Sequence, residues 1–238
     1  AASNTTRVSF LLGPPRAGAG SPAAGAGYGA LGEALTETLA GLGVADARAA
    51  YRGIALAGPG GLGRAAEQDV AGPPSVDLRA AMALAADRDS VARQYAAGYV
   101  DIFGTGLGAL TAPRRTLAAA VQGVFLAFLA AWPDSHIVRK LGKAVAQTVT
   151  ADARRWRRAL LADAAAGEGK GFAAWDESLK AAGINPGTSA DLTVATLFAA
   201  ALAWPEIVGM AGDGPWHGLC IHPSGIGHFP TSDWGVPA

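Results

Sequence analysis

Apolar residues recur along this chain at helical spacing. Leu31, Leu35, Leu39 and Leu42 stand four, four and three apart, which places them on one helix face. Ala-rich segments of the same kind follow, and few stretches alternate with the period of two that marks a half-buried strand. Ala is the strongest helix former and lets helices pack closely. The chain is therefore expected to be all-α: one domain, a helical bundle or orthogonal helical array with loop-rich termini. Half of its 238 residues are hydrophobic, enough to bury a sizeable core.

Breakers divide the pattern. Residues 1–27, rich in Gly, Pro and Ala, read as a flexible or truncated N-terminal segment. Helices are expected from Tyr28 onward, then Val44 to Ala57, Val76 to Ala86, Asp89 to Phe103, Arg114 to Trp132, Asp134 to Ala165, Phe172 to Ala182 and Ser189 to Ala203. Together they make a helical domain over 28–208. Residues 209–238 read as a loop-rich tail. The start at Ala1-Ala-Ser-Asn, without Met, reads as a fragment or a processed end.

Charge and cysteine content narrow the setting. The formal net charge is zero, which argues against a broad nucleic-acid surface but leaves room for a local anion site. The single cysteine, Cys220, excludes an internal disulfide framework and fits a reducing compartment. No apolar run is long enough to span a bilayer, and Leu117 to Trp132, interrupted by Gln122, reads as a buried helix. No signal-peptide pattern is present. A cytoplasmic protein without nucleic-acid or membrane partners is expected; a homodimer is compatible with this.

Several motifs carry chemistry. Gly183-Ile-Asn-Pro-Gly-Thr-Ser-Ala-Asp191 reads as a tight turn feeding an apolar helix. Pro186 pushes Asn185 out of the α region, and Gly187 permits the turn. Thr188 can cap the helix, with Asp191 completing a short capping box. The free N–H groups at such a start suit a phosphate. Gly58-Pro-Gly-Gly-Leu-Gly63 matches G-x-G-x-x-G in letters, but it follows a helical segment and Pro73-Pro74 blocks the helix a dinucleotide site needs. It is either a plain connection or a loop whose amides approach an anion, with Arg64, Glu67 and Asp69 at its rim.

Charged helix starts are the next candidates. Asp89 can cap a helix and pair with Arg93 four residues on, or it can hold Arg88 or Arg93 against a phosphate. In Asp134-Ser-His-Ile-Val-Arg-Lys-Leu-Gly-Lys143, Asp134 is a natural cap, and His136, Arg139, Lys140 and Lys143 share one face of a long helix. Cations in the first two turns oppose the helix dipole unless an anion compensates. Arg154-Arg-Trp-Arg-Arg158 reads as a solvated face rather than a nucleic-acid clamp. His217, Cys220, His222 and His228 fit no standard zinc spacing.

These segments, in this order, resemble the triphosphoribosyl-dephospho-CoA synthase family. The resemblance rests on Asn185-Pro-Gly-Thr-Ser-Ala-Asp191, Asp134-Ser-His136 with Arg139-Lys140, Pro59-Gly-Gly-Leu-Gly63 with Glu67 and Asp69-Val70, and Arg88-Asp-Ser-Val-Ala-Arg-Gln-Tyr95 with Gly98-Tyr-Val-Asp101. It covers residues 44–204 and is closest to short members linked to tetrahydromethanopterin-dependent one-carbon metabolism. It implies an all-helical enzyme in which the 2′-hydroxyl of 3′-dephospho-CoA, or a related acceptor, attacks C1′ of the ATP ribose and expels adenine.

The resemblance also implies roles. Asp134, His136, Glu67, Asp69 and Asp191 become the catalytic candidates, and Asp134 and Asp191 the ligands of Mg²⁺ accompanying ATP. Gly60, Gly61, Gly63, Arg64, Arg88, Arg93, Arg139, Lys140, Asn185, Gly187, Thr188 and Ser189 become the groups that hold the nucleotide. On this reading Asp134→Ala and Lys140→Ala weaken Mg-ATP binding or turnover and spare the fold. Two departures stand beside it. The family's early Lys-Pro-Gly segment has no counterpart here, only Asn4-Thr5, and the stretch from Gly209 onward matches nothing in the family pattern. The alternative is a family remnant that binds a nucleotide or coenzyme as a partner subunit without catalysis.

Overall fold

The computed structural model describes residues 28–58, 64–112 and 116–203. Among them there is no strand, and the all-α expectation holds. Ten α-helices follow one another: α1 (Tyr28–Ala40), α2 (Val44–Ala57), α3 (Leu78–Ala83), α4 (Ser90–Ala96), α5 (Leu107–Leu110), α6 (Leu117–Ala131), α7 (Ser135–Leu141), α8 (Lys143–Ala162), α9 (Lys170–Ala181) and α10 (Gly187–Ala203). A π-helical turn (Ile102–Gly106) leads into α5, and a 3₁₀ turn (Ala164–Glu168) joins α8 to α9.

The central helix is α6. It is apolar on all sides, as a helix buried all round must be, and it packs mainly against α8 and α10. One face, Ala120, Val124 and Phe128, joins a core shared with α1 to α5 and α10; Leu31 and Leu39 of the first leucine stripe belong to it. Another face, Leu126, Leu129 and Ala130, joins a second core with α7, α8 and α9. Phe128, Leu126 and Leu129 are fully buried, each contributing about 2 kcal/mol of transfer free energy. No single described helix is long and apolar enough to cross a membrane; α6 and α7 would pass only as a pair bent by 58°.

Two expected helices are broken. The stretch from Asp89 to Phe103 stops at Ala96, because Gly98 and Tyr99 take φ values of 67° and 63°. Left-handed backbone at a non-glycine is costly. Here the Tyr99 ring is buried beside Tyr95 with centroids 5.5 Å apart. The long helix from Asp134 to Ala165 is two helices, parted at Gly142 with φ 90°. Lys143 therefore opens α8 and does not share a face with His136 and Arg139. Arg139 and Lys140 lie in the last turn of α7, where the dipole favours cations. The expected conflict between these cations and the helix dipole disappears. Helix α3 is also shorter than expected, ending at Ala83.

Candidate functional site

Three helix starts meet where the two cores join. Asp134 caps α7: its Oδ1 accepts the N–H of His136 at 2.9 Å and of Ile137 at 3.1 Å. Its Oδ2 accepts the Ser189 N–H at 2.7 Å and the Ser189 hydroxyl at 2.8 Å. One carboxylate, 1% exposed, thus caps α7 and α10 together. Ser135 adds a second tie. Its hydroxyl lies 2.9 Å from that of Thr188 and accepts the Ser90 N–H of α4 at 3.3 Å. Asp89 caps α4 through Oδ1, with the N–H groups of Val91 and Ala92.

This arrangement corrects two expectations. Helix α10 begins at Gly187, so Thr188 lies inside the first turn and the cap is Asp134, not Thr188 with Asp191. The Ser189 N–H is spent on that carboxylate, and Ala190 N–H bonds Pro186 O at 3.1 Å. The start of α10 is therefore neutralised from within. Asp134 in turn has two donors on each oxygen and no exposed edge, so it does not suit a metal ion. An ionised carboxylate offers about four acceptor positions, and all are taken.

Beside this buried joint stands a polar group of different character. His136 and Arg139 share a face of α7, three residues apart. Helical side chains lean toward the N-terminus, which brings the Arg139 guanidinium back over the helix start. Its Nη1 lies 3.6 Å from Asp89 Oδ2 and its Nη2 3.3 Å from His136 Nδ1. Its Nε is buried with no hydrogen-bond partner. Arginine cannot accept, so His136 Nδ1 accepts here and Nε2 carries the proton. Gly187 packs against the imidazole so closely that a Cβ would stand 3.3 Å from His136 Cγ. Asp191 is one turn further along that face of α10 and half-buried. Lys140 is exposed.

Other candidates lie elsewhere. Arg93 does not pair with Asp89: it bonds Asp101 Oδ2 through Nε at 3.0 Å and stacks 3.9 Å above the Trp132 ring centroid. Asp101 also accepts from Gln94 Nε2 at 2.6 Å. Arg88 is exposed and bonds Leu84 O at 2.8 Å. Asp89 holds neither Arg88 nor Arg93; its ion-pair partner is Arg139. Arg154 bonds Ala130 O at 2.8 Å and caps the end of α6, a structural role within the basic run.

The loop after α2 forms its own unit. Tyr51 donates to Gln68 O at 2.6 Å. Burial, then the Asp69 charge, raises the Tyr51 phenol above its ordinary pKa and keeps it a donor. Asp69 accepts the N–H groups of Ala65 at 2.6 Å and Ala71 at 2.8 Å. The Ala71 bond first, then that from Ala65, hold its carboxyl below the ordinary value. Both oxygens of Asp69 thus shape the loop. Glu67 and Arg64 are exposed, and no described hydrogen bond or ion pair links this loop to the Asp134 joint. Gly60, Gly61 and Gly63, and the histidines of the tail, lie outside the described residues.

A family model described as CitG, ATP:dephospho-CoA triphosphoribosyl transferase, matches residues 2–207. The chain belongs to this family. No curated protein and no solved structure matches it. The CitG match reaches well before residue 44, where the motif resemblance began, and it lends no support to the one-carbon branch. Against this family, reasoning from the sequence missed three groups: Ser135, which ties three helix starts; Asp89 as the partner of Arg139; and Asp101 as the partner of Arg93. All three stand inside motifs quoted above, Ser135 in Asp134-Ser-His136, Asp89 in Arg88-Asp-Ser90 and Asp101 in Gly98-Tyr-Val-Asp101, but their partners left no local signal. Among the described residues, no group of three or more acids, histidines or cysteines forms a metal cage.

Proposed function

We propose that this CitG-family chain transfers the 5′-triphosphoribosyl group of ATP to the 2′-hydroxyl of 3′-dephospho-CoA, releasing adenine. The observation that supports it best is the partly used guanidinium of Arg139 beside His136, at a joint of helix starts that are already capped. A capped start needs no anion, but a buried Nε without a partner does. A triphosphate meets that need with charge-assisted hydrogen bonds, and exposed Lys140 adds a second cation at the rim.

The reaction breaks the bond between C1′ and adenine and forms one between C1′ and the acceptor oxygen. Adenine leaves with the bonding electron pair and takes up a proton; the acceptor hydroxyl loses one. Cationic character develops at C1′, as in glycoside chemistry. His136, neutral with its proton on Nε2, would donate a hydrogen bond to the departing adenine or to a phosphate oxygen, and adenine takes its proton from solvent. Asp191 is the carboxylate to stabilise C1′ or to take the acceptor proton, with Glu67 the second candidate. Mg²⁺ enters with the triphosphate and binds one or two carboxylates at most. Asp134 does not fit that role; Asp191 would hold the ion only if Glu67 supplied the carboxylate at C1′. Asp134, Ser135 and Ser189 act by positioning: they fix the angle between α7 and α10 and so the distance from His136 to Asp191.

The test is incubation with Mg-ATP and 3′-dephospho-CoA, following adenine by chromatography. Stoichiometric adenine and triphosphoribosyl-dephospho-CoA are expected. ATP that binds without releasing adenine, with dephospho-CoA or related acceptors, overturns the transferase reading in favour of a non-catalytic nucleotide binder.

A further inference from the structure

A groove of about 390 Å³ runs between the π-helical turn with α5, α6 and α8, and no residue of the Asp134 joint lines it. Gly104, Gly108 and Ala112 line it from one side and Gly123, Ala127 and Ala131 from the other, each set recurring every fourth residue. Such small residues let another stretch of chain approach closely. Gly104 and Gly108 are not needed for packing inside: neither has left-handed backbone, and a Cβ on either would meet nothing within 4 Å. Their cost of about 1 kcal/mol each against alanine leaves an open apolar wall. Leu161 of α8, 59% exposed, carries the apolar surface to the rim.

The rim is positive. Arg157 lines the groove and Arg158 follows it on α8; both are exposed, and neither has an ion pair or hydrogen bond among the described residues. Their neighbours in the basic run are engaged, Arg154 by Ala130 O and Arg155 by Asp152. An apolar groove edged by free guanidinium groups complements a segment that is apolar and acidic.

This chain has one. Residues 204–238, beyond the described residues, carry Glu206, Asp213 and Asp233 and no Lys or Arg, together with Trp204, Trp216 and Trp234. In a chain of zero formal net charge this leaves the rest positive by three. Residues 1–27 have the opposite character, with Arg7 and Arg16 and no acid. The acidic segment also starts in the right place. Ala203, at the end of α10, is buried in one core with Leu107 and Leu110 of α5, and Gly108 of that helix lines the groove. Passing over one helix takes about 10–12 Å, or roughly four extended residues. Most of the segment lies beyond the family match, which ends at 207.

We propose that residues 204–238 lie back over α5 and fill this groove, with their carboxylates against Arg157 and Arg158. The proposal is independent of the transferase reading.

Cys220 is the only cysteine and lies in this segment, so the full chain carries its own cross-linking site. Leu161→Cys adds a thiol at the groove rim, and Leu56→Cys, at a position 88% exposed on α2, serves as the comparison. Neither exposed position threatens the fold. A short bismaleimide is expected to join Cys220 to position 161 within one chain, read as a linked peptide pair by mass spectrometry. The yield should exceed that at position 56 by about tenfold, because docking raises the local concentration of one thiol near the other. Adding Arg157→Glu with Arg158→Glu is expected to bring the yield at 161 down to that at 56. Equal yields at the two positions in the parent background overturn the proposal. So does a link that the double arginine variant leaves unchanged, and so does a link between two chains, which gives the groove to a second copy.

Discussion

Asp134 grips Ser189 twice, taking its backbone N–H at 2.7 Å and its hydroxyl at 2.8 Å across 55 residues of sequence. The same carboxylate caps α7, so its loss strands donors on two helices at once. The expectation that Asp134→Ala spares the fold is therefore reversed. Asp134→Asn is the sharper test, because it keeps the shape and turns one acceptor into a donor facing N–H groups. It is predicted to cost about 3 kcal/mol in urea unfolding, the range for a buried charged hydrogen-bond network. Ser189→Ala, which keeps the backbone bond, is predicted to cost about 1 kcal/mol. Equal unfolding midpoints for parent and Asp134→Asn would mean that the joint holds nothing together.

Arg139 is predicted to matter for ligand more than for stability. Its side chain is 20% exposed and makes one ion pair at 3.6 Å, too long to hold the fold. Arg139→Gln is expected to unfold at nearly the parent temperature and to weaken tripolyphosphate binding by about tenfold or more. Arg139→Lys is expected to restore little, since an ammonium cannot reproduce a planar fork of donors. Lys140→Ala, at the exposed rim, is expected to lose only about threefold. Tripolyphosphate affinity unchanged in Arg139→Gln would remove this residue from the site.

What was legible in the sequence was local. The leucine stripe of α1 and the bounds of α2 between Gly43 and Gly58 follow from spacing and backbone preference alone, and α2 spans Val44–Ala57 as expected. Asp134 and Asp89 were legible as caps because a cap is made within three residues. Their second partners, Ser189 and Arg139, stand 55 and 50 positions away and depend on how cores pack, which no local pattern encodes. The break at Gly142 was hidden for a related reason. A lone glycine within a helical pattern costs only about 1 kcal/mol, so spacing alone does not tell a tolerated glycine from a stop.

Asp69 gives a pH prediction. Its hydrogen bonds from Ala71 and Ala65, aided by the nearby Arg64 charge and opposed by burial, depress its folded pKa below 3.8. The unfolded chain therefore binds this proton more readily than the native one. Stability from Asp69 is complete above the unfolded pKa and is lost as pH falls through the folded pKa. Parent and Asp69→Asn are expected to converge in urea stability in acid and to separate, parent the more stable, toward neutral pH. Parallel curves across that range would show that the carboxylate does not hold the loop.

Gly106, at the end of the π-helical turn, packs against α10 without room for a side chain. A Cβ there would stand 2.2 Å from Thr196 Oγ1, 2.9 Å from Thr196 Cγ2 and 3.0 Å from Phe128 Cζ. Thr196 and Phe128 are both fully buried, on α10 and α6, so the clash cannot be relieved by turning a side chain into solvent. Gly106→Ala is predicted to destabilise by about 1–3 kcal/mol, the usual cost of overpacking. Thr196→Ala removes the two nearer atoms at the expense of one hydroxyl, which bonds Leu192 O at 2.9 Å within α10. The double variant should then recover part of the loss, giving a favourable coupling energy in a double-mutant cycle. Additive losses would mean that the π turn shifts away from α10 instead, and that Gly106 is there for the backbone of the turn rather than for the contact.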